Sequence, residues 1–69
     1  MEEIERQKLK VLLGRWIEHN REHGEEFREW AMKAGSGGEA RVQVYMMRAA
    51  QEMDQASKSL LDALHKLKG

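Results

Sequence analysis

Apolar residues recur along the first half of the chain at Leu9, Leu12, Leu13, Trp16, Phe27, Trp30, Ala31 and Ala34. At about 100° per residue these positions share one sector of a helical wheel, somewhat over about 100° wide. The pattern predicts a helix over residues 2–34. Its opening, EEIERQKLK, sets acids in the first turn and bases after them, which suits the helix dipole and pairs such as Glu2 with Arg6. Gly14 and Gly24 weaken it by about 1 kcal/mol each relative to alanine.

The second half carries a cleaner pattern. Val42, Met46, Ala49, Met53, Ala56, Leu60, Ala63 and Leu67 alternate steps of four and three, a heptad seam with alanine at every other position after Val42. This predicts a second helix over 39–68. Between them, GSGG at 35–38 reads as the turn. Gly35 is placed to take the left-handed conformation that closes a helix, and Ser36 with Glu39 has the spacing of a capping box. So short a connection makes the helices antiparallel neighbours. Folding about it brings Trp30 near Tyr45 and Met46, His23 near Ala49 to Met53, and Trp16 near Ala56 and Ser57, large against small.

The predicted fold is therefore all-α, an antiparallel two-helix hairpin forming a single domain over residues 1–69. Tyr45, Ala50, Leu61 and Leu64 widen the apolar face beyond what one hairpin can cover. Sixty-nine residues bury little core, and chains of this size usually need a staple. With no cysteine, disulfides and thiolate metal sites are excluded. A homodimer forming a four-helix bundle is the expected remedy, with its histidine layer near the middle.

Charge narrows the function classes. Twelve basic and twelve acidic residues cancel, so no net field draws the chain to nucleic acid or an anionic membrane. No apolar run approaches the ~20 residues of a membrane span, and no signal-peptide segment opens the sequence. A cytoplasmic protein is the expectation.

The candidate chemistry lies in WIEHNREHGEEFREW, Trp16 to Trp30. On the wheel His23 falls near the centre of the apolar sector, Asn20 inside it and His19 on its edge. His19 and His23 are four apart, so both imidazoles project from one face, the geometric part of metal-binding HExxH logic. The glutamate that would serve hydrolysis is missing, because Asn20 and Arg21 follow His19. Glu22 and Glu26 each follow a histidine by three, so His19, His23 and Glu26, or Glu22 in its place, form a compact donor set. Imidazole with carboxylate suits zinc, nickel, cobalt or copper. Two structural readings stand beside this one. A polar layer of Asn20 and His23 would fix the register of a dimer without metal. Arg15, Arg21 and Arg28 would neutralise the acids of this flank. Trp16 and Trp30 read as large core residues, the mid-seam methionines as core filler. Nothing positions a substrate, and no enzymatic role is expected.

The motif WIEHN-x-x-H-x-x-x-F-x-x-W-A, here Trp16 to Ala31, resembles the hallmark of a family of short uncharacterised prokaryotic helical hairpins. In that family the motif opens His-Trp-Ile-Glu-His-Asn, with a further histidine four residues on. The resemblance implies a metal-binding role, with His19 and His23 matching the second and third histidines. Arg15 stands at the first, which removes a three-histidine set. Two expectations follow. The leading one is binding of a divalent transition metal through His19, His23 and Glu26 or Glu22. The other is a metal-free homo-oligomeric module with a polar core layer.

Overall fold

In the computed structural model, which describes residues 1–68, the chain forms α1 (Glu3–Ser36) and α2 (Ala40–Lys68). The two helices fold back on each other as a hairpin 52 × 14 × 13 Å in extent. Glu2 caps α1 in extended conformation, and its N–H donates to the Glu5 carboxylate at 3.2 Å. At the same end of the hairpin, the Arg6 guanidinium donates to the Leu67 carbonyl at 2.6 Å. That bond supplies a donor to one of the orphan carbonyls of the last turn of α2.

The turn differs from its expected form. α1 runs on through Gly35 and Ser36, and the left-handed residue is Gly38, at φ 89°. The Glu39 N–H donates to the Ala34 carbonyl at 2.8 Å and the Gly38 N–H to the Gly35 carbonyl at 3.1 Å. These are the two bonds of a Schellman closure. Ser36 is consumed by α1, so the Ser36–Glu39 capping box does not form. Instead the Glu39 carbonyl accepts the first bond of α2, from the Gln43 N–H at 3.0 Å. Gly35 has a different use: the Gln43 side chain occupies the space a Cβ would fill there.

Gly24 lies level with Met53, whose Cβ would stand 3.9 Å from a Cβ built on the glycine. Positions on α1 and α2 whose numbers sum to about 77 therefore share a height along the hairpin. The seam is lined by small residues. Gly24 and Ala31 are buried on α1 and Ala50 on α2, with Leu13 the one large buried side chain. Small side chains let the backbones approach closely, which leaves no room for an indole between them.

This corrects the expected seam. Met46, Met53, Leu60 and Leu67 do turn inward, but they alternate with Gln43, Ala50, Ser57 and Leu64. Val42, Ala56 and Ala63 are exposed, and Ala49 is half-buried. On α1, Ile17 and Gly24 replace Trp16 and His23 at the contact. Trp16 and Trp30 are not core residues of the hairpin: they are 42% and 59% exposed. The sequence carries two overlapping apolar stripes on each helix, and on α1 the hairpin closes on the one without the tryptophans.

Candidate interaction face and histidine cluster

The second stripe of each helix is left open, and both lie on the same side of the hairpin. One open groove near the turn is walled by Trp30 and Ala34 from α1 and by Val42 and Met46 from α2, with Lys33 and Glu39 at its rim. The Lys33 ammonium sits over the Trp30 ring, 4.3 Å from its centroid, a cation–π contact that shields part of the indole face. On α1 this face continues through Phe27, His23 and Trp16 at helical spacing. On α2 it continues through Ala49, Met53, Ala56, Leu60 and Ala63.

The expected donor residues sit midway along this face. His23 is exposed, and its Nδ1 stands 3.2 Å from a Glu26 carboxylate oxygen. Its ring stacks with Phe27, centroids 6.2 Å apart and planes 26° from parallel. A carboxylate beside one ring nitrogen is the kind of neighbour that orients a metal-ligating imidazole. His19 lies one turn earlier and is exposed, as is Glu22. Among the described residues, no group of three or more histidine and carboxylate side chains converges closely enough to hold a metal ion. One pair, His23 with Glu26, is formed; the set of three is not.

The neighbouring acids are largely spoken for. Arg21 bridges Glu18 and Glu25, the latter at 2.8 Å. The hydrogen bond from Arg21 holds the Glu18 carboxyl below its ordinary range, and the same contact raises the guanidinium further. Arg28 reaches across to Asp54 on α2. Two of the three arginines expected to neutralise the flank are thus engaged with acids, and Arg28 does so between helices. The polar layer is divided too. Asn20 is half-buried in the seam while His23 is outside it. Ser57, near the height of Asn20, has a buried Oγ with no hydrogen-bond partner. The sequence reading did not single out this hydroxyl, since serine at a seam position looks like one more small residue.

Among the described residues no helix is long and apolar enough to cross a membrane. Over residues 9–67 the chain matches a family described as a domain of unknown function (DUF8180), and it belongs to that family. No curated protein and no solved structure matches it.

Proposed function

We propose that this member of a family of unknown function is a self-associating module, two hairpins packing open face to open face as a four-helix bundle. One observation carries the reading. A compact globular chain of this mass exposes about 4,450 Å², whereas the hairpin exposes 5418 Å². The excess, about 1,000 Å², is of the order one subunit buries in a stable protein–protein interface. Both tryptophans stand on the open face, 42% and 59% exposed. Self-association that stabilises the fold makes thermal unfolding depend on protein concentration. The midpoint should rise with concentration for the natural sequence and become independent of it for Trp16→Ala/Trp30→Ala. A concentration-independent midpoint in the natural sequence would sink the reading.

A second reading is favoured by the His23–Glu26 contact: binding of a divalent transition metal by His19 and His23, with Glu26 or Glu22 completing or orienting the set. It ranks second because the single chain brings only the one pair together. Chelator-stripped protein titrated with zinc, nickel, cobalt and copper should gain thermal stability with at least one of them. The gain should vanish in His19→Ala/His23→Ala. No shift with any of the four would remove the metal from the proposal and leave the module intact.

A further inference from the structure

The open face has a phase that selects one way for a second copy to dock. Trp16, His23 and Trp30 are seven residues apart on α1, and Val42, Ala49, Ala56 and Ala63 are seven apart on α2. By the register set at Gly24 and Met53, each α1 residue falls at a height between two of the α2 residues. Trp16 lies between the heights of Ala56 and Ala63, His23 between Ala49 and Ala56, and Trp30 between Val42 and Ala49. Within one hairpin these projections and gaps stand side by side, as Trp30 and Val42 do across one groove. They mesh only with another molecule.

Resting on the self-association reading, we propose that the twofold axis of the dimer runs parallel to the helices. The two turns then lie at the same end, and α1 of each copy packs on α2 of the other. In this arrangement the heights are preserved, so Trp16 meets the partner's hole between Ala56 and Ala63, and Trp30 the one between Val42 and Ala49 beside Tyr45 and Met46, as knobs enter holes in a coiled coil. All neighbouring helices remain antiparallel. The alternative twofold axis, perpendicular to the helices, sets α1 on α1. Centred on His23, it would place Trp16 against Trp30 of the other copy, since both are seven residues from that centre. It would also leave α2 facing α2 with small residues on both sides. Overpacking one half and hollowing the other costs stability in both.

A spin label on Ser36→Cys tests this. Ser36 is exposed at the turn end of α1 and the natural chain has no cysteine, so one label per chain reports the distance between the two turns. Turns at the same end predict a separation of about 20–25 Å, set by helix spacings of ~10 Å across a bundle plus the label arms. A separation of about 40 Å or more would overturn the arrangement while leaving the dimer standing, because Ser36 is thirteen residues from His23 in each copy and a helix rises ~1.5 Å per residue. No dipolar coupling, together with the mass of a single chain, would overturn both and assign the face to a different partner. A label on Ile4→Cys, 80% exposed near the opposite end, should give a similarly short distance.

Discussion

Each helix of this hairpin has two apolar stripes, and they have opposite fates. The closed stripe buries the small residues Gly24, Ala31 and Ala50 together with Leu13, and half-buries Met46, Met53 and Leu60 beside them. The open stripe holds both tryptophans, whose indoles are the largest apolar side chains in the sequence, and leaves them 42% and 59% exposed. In a monomer burying its apolar surface most efficiently, the order would be reversed, since an indole contributes far more area than a methyl group. Close backbone approach has been given to the intramolecular contact, and bulk kept for another. The difference on α1 teaches that hydrophobicity alone does not say which partner a stripe serves: there the small residues close the hairpin and the indoles are left outward.

The comparison can be broken most forcefully at its closed side. Among the described residues Leu13 is the one large side chain buried within the hairpin, 5% exposed. Leu13→Ala should cost about 2–5 kcal/mol, a large fraction of the stability of a small domain. Circular dichroism should show most helix lost at temperatures where the parent is folded. On the open side, Trp16→Ala/Trp30→Ala should leave helix content near the parental level at high protein concentration. It should weaken association by about 2–4 kcal/mol, the range of tryptophan hot spots, which is roughly 30- to 1,000-fold in dissociation constant.

Smaller effects sharpen the boundary between the two stripes. Gly14 is exposed, with open space where a Cβ would stand. Gly14→Ala should therefore raise stability by about 1 kcal/mol through helix propensity alone, visible as a higher urea midpoint with no change in mass. The same substitution at Gly24 meets the Arg28 side chain at 3.4 Å and Met53 Cβ at 3.9 Å, and should gain less. Ser57→Ala removes a buried hydroxyl that has no partner. It should be neutral or stabilising by up to about 1 kcal/mol, and a clear loss of stability would mean that Ser57 has a partner in the assembled protein. Smallest of all, Asp54→Asn breaks the bridge to Arg28 between two side chains 58% and 38% exposed. It should cost less than about 1 kcal/mol, and less still in high salt.

How much of this could be read in advance follows from which signals were degenerate. Helix existence and antiparallel pairing were legible, since 3.6-residue periodicity and a glycine turn leave few alternatives. The ends of α1 and α2 fell within two residues of the pattern. The turn closed differently because Gly35 and Gly38 are equivalent as residue types, and only the crowding of Gln43 against Gly35 separates their uses. Half of the α2 seam was legible, through Met46, Met53, Leu60 and Leu67, which both stripes share. The other half was not, because Ala49 and Ala50 are the same residue type, while Gln43 and Ser57 turn inward in place of the more apolar Val42 and Ala56. Tryptophan, read as core for its apolarity, was too large for the seam, and Gly24, read only as a weak helix residue, lies inside it. The wheel position of His23 was correct relative to Trp16 and Trp30. What it could not show is that this sector faces away from α2, so His23 meets Glu26 and Phe27 on its own helix.

The most direct measurement is the mass in solution by sedimentation equilibrium over a wide range of protein concentrations. A covered open face gives twice the 8.0 kDa of one chain, falling toward 8.0 kDa only on dilution or in the tryptophan variant. A mass of 8.0 kDa at every concentration, in a chain that is fully helical and folds cooperatively, would contradict it. Self-association would then be withdrawn, and the exposed indoles would need a different partner.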